Sequence, residues 1–345
     1  MYHVKRRNYL AMRKLVLLFV CALLALPVFG QTQLNGAGAT FPYPIYSKWF
    51  SEYAKSHSAV AINYQSIGSG GGIRQVTAGT VDFGASDMPM TDKQLQDSKV
   101  KILNLPTVLG AVVPAYNIPG VTGEVKFTPD ALAGIFLGKI SRWNDKALTS
   151  ANPDINFPDK EIIVAHRSDG SGTTFIWTDY LSKVSPEWKS SVGADTSVKW
   201  PVGLGAKGNE GVSGLVRQMS GSIGYVELIY AVQNKIPYGS VRNAAGAFVK
   251  ASLESVTAAA AAAPKMPADF RVSITNSPGK DAYPISSFTW LLVPQQSKSP
   301  ANAKILADFL NWMVTEGQQM TTALAYAPLP DNVVAKEKEA IKQVK

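Results

Sequence analysis

Residues 60–87 read VAINYQSIGSGGGIRQVTAGTVDFGASD, and this short span decides the fold class. Within it we predict a strand over Val60 to Tyr64, a glycine loop over Gly68 to Gly72, a short helix over Ile73 to Ala78 that Gly79 closes, and a second strand over Val81 to Ala85. Strands that alternate with helices in this way are typical of an α/β protein.

The rest of the chain repeats the alternation. Between Pro42 and Ser56 the apolar residues Ile45, Trp49, Phe50 and Tyr53 recur at helical spacing, and Pro106 to Pro114 is apolar and favours a strand. The glycine-rich stretch from Trp200 to Gly214 is predicted as a hairpin leading into a helix. A chain of 345 residues exceeds one simple core, so two domains are expected.

Residues 1–30 are typical of a secretory signal peptide. Five basic residues precede the apolar run Leu15 to Leu26, which Pro27 ends. This run is shorter than the roughly 20 residues that span a bilayer, so an uncleaved anchor is the less favoured alternative. Cleavage near Gln31 would remove Cys21, the single cysteine, and leave 29 basic against 25 acidic residues, a net charge of +4 instead of +9. We expect a periplasmic protein.

Three small-residue loops that open onto predicted helix N-termini are the candidate binding elements: Gly36 to Phe41, Gly68 to Gly72 and Asp169 to Thr174. Backbone N–H groups and the positive end of a helix dipole attract an anion, and hydroxyls add donors. One such loop is a weak signal, but three favour a tetrahedral oxyanion site. None fits a nucleotide loop, because no GxxxxGK[ST] occurs and Phe41 stands at the third glycine of GxGxxG.

Two charged residues sharpen this prediction. Arg167 can donate two bonds to an oxyanion while nearby Asp169 holds its guanidinium in place, the alternative being an ordinary salt bridge. Asp87 ends a predicted strand, where α/β sheets present ligand contacts. A carboxylate accepts a hydrogen bond from a protonated phosphate, whereas sulfate, which has no proton, meets an unpaired charge. Asp87 therefore indicates phosphate.

An enzyme is the competing class. After cleavage only His57 and His166 remain among the histidines, and no HExxH motif, cysteine pair or GxSxG frame occurs. We expect no catalytic residue, no metal and no cofactor. The sequence also lacks a basic stripe interleaved with aromatics, so no nucleic-acid partner is expected.

Several long segments, spread over essentially the whole mature chain, carry a resemblance: GAGATFPYPIYSKW, YQSIGSGGG, TVDFGASDMPM, FLGKISRWND, RSDGSGTTF, VKWPVGLGAKGNEGV, GSIGYVE and YAPLP. In these segments the chain resembles the phosphate-binding subunit of the bacterial high-affinity phosphate ABC transporter. The resemblance implies a type II periplasmic binding fold, in which two α/β lobes joined by a two-strand hinge close over a ligand in the cleft. It also implies delivery of inorganic phosphate to the transmembrane permease subunits by a monomeric binding protein.

By this resemblance the phosphate contacts come from both lobes: Thr40, the backbone N–H of Phe41, Ser69 and Asp87 from one, and Arg167, Ser171, Gly172 and Thr173 from the other, with Asp169 orienting the arginine. The lobes are expected to comprise residues 31–109 with 284–345, and residues 110–283. Chain crossings are expected near Pro106 to Pro114 and Ile285 to Trp290. A receptor for another oxyanion, such as sulfate or molybdate, and a secreted phosphatase on the same fold are the alternatives.

Overall fold

A computed structural model describes residues 31–297 and 299–345, in which strands alternate with helices as the sequence predicts. The strands are β1 (Thr32–Gly38), β2 (Val60–Ser66), β3 (Phe83–Ser86), β4 (Ile102–Asn117), β5 (Lys126–Phe127), β6 (Ile163–Arg167), β7 (Leu204–Ala206), β8 (Ser222–Glu227), β9 (Ser240–Arg242), β10 (Phe248–Val249) and β11 (Ser286–Pro294). The α-helices are α1 (Tyr43–Ser56), α2 (Ser69–Ala78), α3 (Asp92–Asp97), α4 (Pro129–Phe136), α5 (Lys146–Thr149), α6 (Gly172–Val184), α7 (Pro186–Ser191), α8 (Gly208–Gln218), α9 (Leu228–Gln233), α10 (Leu253–Ala262), α11 (Pro300–Met313) and α12 (Asp331–Ile341).

The predicted signal peptide lies outside the described residues. Within residues 31–297 and 299–345, no helix combines the length and the apolar character that a membrane crossing requires.

A mixed sheet of eight strands organises the chain, in the order β2-β1-β3-β11-β4-β8-β6-β7. Strand β1 pairs in parallel with β2 and β3 at one end of the sheet, and β6 pairs in parallel with β7 and β8 at the other. The antiparallel strands β11 and β4 lie between these two groups. A small sheet of order β10-β9-β5 packs beside them.

Strand β4 belongs to both halves of this sheet. Its first part, up to Ala111, pairs with β11, and its last part, from Val112 to Asn117, pairs with β8. Nearly all of its 16 residues are buried, which agrees with a sequence in which apolar and polar residues do not alternate. The strand predicted over Pro106 to Pro114 is thus confirmed, and it extends further in both directions.

A β-bulge interrupts the pairing of β4 with β11. Thr289 pairs with Val108 and Trp290 with Pro106, so Thr107 is an extra residue on β4. Proline has no N–H to give to the ladder and is tolerated in a central strand at such an irregularity. Bulges re-aim neighbouring side chains, and here the bulge lies beside Thr289, whose side chain reaches the candidate site.

Helix α1 confirms the helical spacing predicted for Pro42 to Ser56. Ile45, Trp49, Phe50 and Tyr53 all lie on its buried face. Phe50 and Tyr53 pack against Phe309 of α11, with ring centroids 5.5 and 5.2 Å apart. Helix α1, into which the first glycine loop leads, is therefore held against α11 through its C-terminal half.

Two predictions of local structure are wrong. The glycine loop predicted over Gly68 to Gly72 is, from Ser69 onward, the first turn of α2. A Cβ on Gly72 would lie 2.6–2.7 Å from backbone atoms of β1 and of Ala85, so glycine lets this helix approach the sheet closely. The hairpin predicted within Trp200 to Gly214 is the single strand β7, which pairs in parallel with β6 before α8 begins.

Candidate functional site

The candidate binding residues follow the carboxyl ends of the parallel strands. Thr40 and Phe41 come after β1, Ser69 after β2, Asp87 after β3, and Arg167 ends β6, just before α6 begins at Gly172. Ligands of open α/β sheets bind at this edge. All of the predicted contact residues are buried, and those other than Gly172 are at most 3% exposed.

The first loop joins the two groups of strands. The hydroxyl oxygen Oγ1 of Thr40 accepts hydrogen bonds from Nδ2 of Asn209 (2.8 Å) and from the backbone N–H of Asn209 (3.3 Å). The Tyr230 hydroxyl donates to the carbonyl of Thr40 (2.6 Å), and the Tyr326 hydroxyl donates to the carbonyl of Phe41 (2.6 Å). The loop is therefore held from both sides of the cleft.

The second and third loops meet directly. Ser69 Oγ accepts a hydrogen bond from the backbone N–H of Asp87 (3.1 Å) and another from the backbone N–H of Gly172 (3.0 Å), across the cleft. The backbone N–H of Gly70 donates to the carbonyl of Gly170 (2.9 Å). Both glycines allow this approach, because a Cβ on Gly70 would lie 3.2 Å from the Cα of Gly170.

Asp87 is a buried carboxyl, 1% exposed, at the centre of this arrangement. The Thr289 hydroxyl donates to its Oδ1 (2.8 Å). Burial raises the pKa of Asp87 to about 7, and the hydrogen bond from Thr289, the charge of Arg167 and the hydrogen bond from Ser69 limit that rise. These three groups partly offset the effect of burial on the ionised form of Asp87, which is the form that can accept a hydrogen bond from a ligand.

Arg167 is held by a two-pronged ion pair. Its Nε donates to Asp169 Oδ1 (2.8 Å) and its Nη2 to Asp169 Oδ2 (2.6 Å), while its Nη1 donates to Thr173 Oγ1 (3.3 Å). The predicted Arg167–Asp169 pair is confirmed. Although burial alone raises the pKa of Asp169, the arginine and the backbone N–H of Gly208 hold it below its ordinary value. The guanidinium is therefore fixed in a buried position, with Nε and Nη2 bonded to Asp169 and Nη1 bonded to Thr173.

The third loop forms the N-terminus of α6. Ser171 is the N-cap residue, and its Oγ accepts a hydrogen bond from the backbone N–H of Thr174 (3.1 Å). A Cβ on Gly172 would lie 2.5 Å from Ser69 Oγ and 2.6 Å from Asp87 Oδ2. Glycine is required there, because the helix end approaches residues of the other side of the cleft more closely than any side chain permits.

Two residues of this site are not among those predicted from the sequence. Asn209, at the start of α8, contacts both Thr40 and Thr173, and it lies in the stretch predicted as a hairpin leading into a helix. Thr289, on β11, is separated from Asp87 by 202 residues. A polar residue inside the apolar run from Phe288 to Val293 is the signal that could have identified it.

His166 has a structural role. Its Nδ1 lies 3.0 Å from the carbonyl of Arg167, and its ring stacks on Trp200 at 4.9 Å between centroids. The ring is thus engaged with its own strand end and a neighbouring aromatic residue.

Comparisons with known proteins concern the fold and the family of this chain. A family model described as the PBP superfamily domain matches residues 29–316. A solved structure of a high-affinity periplasmic phosphate-binding protein bound with phosphate aligns with a TM-score of 0.72 and 21% identity, over 89% of this chain and 93% of that chain. At this identity the likeness concerns the fold, and the predicted type II periplasmic binding fold is confirmed.

Curated relatives are much closer in sequence. The phosphate-binding protein PstS of Xylella fastidiosa is 50% identical over 306 residues, which cover 88% of this chain and 83% of the relative. The phosphate-binding protein PstS of Pasteurella multocida is 47% identical over 326 residues, covering 94% of both chains. The chain therefore belongs to the PBP superfamily and, within it, to the family of phosphate-binding proteins PstS.

Proposed function

We propose that this chain is a non-catalytic solute-binding protein that captures inorganic phosphate in the periplasm and delivers it to the permease subunits of an ABC importer. One observation carries the proposal: hydroxyl and N–H donors, a buried arginine and one carboxylate converge from distant parts of the chain on a single cleft. The names of the PstS relatives and the phosphate-bound structural neighbour support it.

The proposed phosphate contacts are those inferred from the sequence: Thr40, Phe41, Ser69, Asp87, Arg167, Ser171, Gly172 and Thr173. The bonding of two hydroxyls supports this set. In the hydrogen bonds described above, the oxygens of Thr40 and Thr173 each accept from two N–H groups. Both lone pairs are then engaged, so each hydroxyl keeps its proton for a further acceptor. A phosphate ion offers such acceptors on all of its oxygens.

Asp87 is proposed to select phosphate against sulfate. Phosphate near neutral pH carries at least one proton that an ionised carboxylate can accept, and sulfate carries none. A sulfate ion would face a buried carboxylate without a proton between them, an arrangement that costs several kcal/mol. This argument favours phosphate over the alternative receptor for sulfate or molybdate.

The two lobes are proposed to comprise residues 31–109 with 284–345, and residues 110–283. The change of partner along β4, from β11 to β8, supports a boundary there. We propose that the lobes hinge on β4 and β11, that cleavage of the predicted signal peptide releases a monomer into the periplasm, and that the closed form is presented to the permease.

Calorimetry on the mature protein tests the proposal, with phosphate, sulfate and molybdate as ligands and Asp87→Asn as the variant. We expect tight binding of phosphate alone by the wild type, and in Asp87→Asn a larger loss of selectivity than of phosphate affinity. Absence of phosphate binding, or equal rejection of sulfate by both proteins, would contradict the respective assignment. A chromogenic phosphomonoester assay with added divalent metal tests the phosphatase alternative, for which we expect no turnover.

A further inference from the structure

Asn209 joins residues from the two sides of the cleft through one amide group. Its side chain is completely buried. Nδ2 donates to Thr40 Oγ1 (2.8 Å) and to Thr173 Oγ1 (3.1 Å), while Oδ1 accepts from the backbone N–H of Glu227 (2.9 Å). Both amide protons and the amide oxygen are thus engaged, and the contacts reach residues that follow β1, β6 and β8.

The orientation of this amide follows from its partners. A backbone N–H can only donate, so the N–H of Glu227 must face Oδ1, and Nδ2 must then face the two threonines. Thr40 Oγ1 also accepts from the backbone N–H of Asn209 (3.3 Å), and Thr173 Oγ1 also accepts from Arg167 Nη1 (3.3 Å). Each threonine hydroxyl is therefore restricted to donating, and within the described residues neither donates to a protein acceptor.

We propose that Asn209 is a positioning residue that fixes the Thr40 and Thr173 hydroxyls as hydrogen-bond donors to the bound oxyanion, and that its bonds to both threonines latch the closed cleft. This role rests on the proposed phosphate site. Thr40 and Thr173 lie in different proposed lobes, so opening the cleft must break the bond from Asn209 to Thr40. The hydroxyls and the latch thus act together only in the closed form.

The role predicts how a variant fails. Asn209→Leu keeps a similar volume but removes the hydrogen bonds from Nδ2 to Thr40 and Thr173. Each threonine hydroxyl can then point its proton away from the ligand, and the closed form loses the bond from residue 209 to Thr40. We expect phosphate affinity about 30-fold weaker from the loss of two buried hydrogen bonds. Most of the change should appear as faster release, because the latch acts after the cleft has closed.

A matched variant controls for the loss of a buried asparagine in general. Asn243 is 5% exposed, and its Nδ2 donates to the carbonyls of Gly279, Lys280 and Ala282, away from the cleft. Asn243→Leu should lower the thermal stability and leave the phosphate dissociation constant within about twofold of the wild type, since no bond to the site changes.

A double-mutant cycle with Thr40→Val separates positioning from general disruption, with binding measured by calorimetry and release by stopped-flow. If Asn209 acts through the threonine, adding Asn209→Leu to Thr40→Val should cost less than about fivefold, against about 30-fold in the wild-type background. Equal losses in both backgrounds, or an effect of Asn209→Leu below threefold, would overturn the role while phosphate binding by the wild type stands. Failure of the wild type to bind phosphate would instead overturn the proposed function.

A second variant keeps the test decisive if Asn209→Leu does not fold. Asn209→Asp retains the shape of the side chain and the acceptor for the N–H of Glu227. It replaces the donor Nδ2 with an oxygen that accepts hydrogen bonds from both threonine hydroxyls. We expect affinity at least about 100-fold weaker, because the hydroxyls would turn away from the ligand and a negative charge would be added. Wild-type affinity in Asn209→Asp would overturn the positioning role.

Discussion

Replacing Gly172 by alanine should prevent complete closure of the cleft without unfolding the protein. The added Cβ would lie 2.5 Å from Ser69 Oγ and from Asp87 Cβ, which both belong to the other proposed lobe. Ordinary contact begins near 3.4 Å, so the two sides must separate by roughly 0.9 Å there. Overpacking of this kind costs about 1–3 kcal/mol, which corresponds to phosphate binding weaker by roughly fivefold to 150-fold.

The measurement compares calorimetric affinity with the radius of gyration from small-angle scattering, with and without phosphate. Gly214→Ala on α8 is the control, because an alanine Cβ there has nothing within 4 Å. We expect Gly172→Ala to show normal melting without ligand, weaker binding and a smaller contraction on adding phosphate, and Gly214→Ala to bind as the wild type does. Wild-type affinity and contraction in Gly172→Ala would refute the reasoning that closure brings these atoms together.

Two further predictions concern buried titratable groups. Thr289→Val removes a donor that favours the ionised form of Asp87, so the pKa of Asp87 should rise above about 7. We expect rejection of sulfate to weaken most near pH 7 and to recover at higher pH, where Asp87 is ionised again. A ratio of sulfate to phosphate affinity that matches the wild type from pH 6 to 9 would contradict this prediction. Glu337 is fully buried, neither carboxyl oxygen has a hydrogen-bond partner in the described structure, and burial raises its pKa well above the ordinary value. The loss of folding stability that comes from this raised pKa is absent below the unfolded-state pKa of about 4.3. It grows by about 1.4 kcal/mol per pH unit until the pH reaches the folded-state pKa. Glu337→Leu should therefore stabilise the protein more at pH 8 than at pH 5 in urea unfolding, and an equal gain at both pH values would rule out this titration.

Local patterns predicted most of the elements that carry the site. The helical spacing of α1 and the apolar run of β4 depend on residues that are close in sequence, so they could be recognised without tertiary information. The same holds for the loop from Asp169 to Thr174, which was expected to open onto a helix, and for the Arg167–Asp169 pair, whose members are neighbours in the chain. The structure brings the loops that carry these residues together, and their contact with phosphate stays a prediction.

What the sequence could not reveal depends on packing between distant segments. Glycines 70–72 predict a loop by composition, but the sheet and the opposite helix end leave room only for a helical turn without side chains. Asn209 and Thr289 carry no charge and belong to no motif that signals a ligand. Their importance follows from β7 pairing with β6 and from the bulge on β4, which are tertiary features.

The place of β11 in the sheet has a consequence for biosynthesis. This strand lies between β3 and β4, yet it is formed by residues 286–294, near the end of the chain. Until the ribosome has made these residues, β3 and β4 each have one unpaired edge, and the pairing that joins them spans some 200 residues. Such non-local pairing slows folding. Acquisition of the native sheet thus waits until these residues have been made, which suits the export that the predicted signal peptide implies.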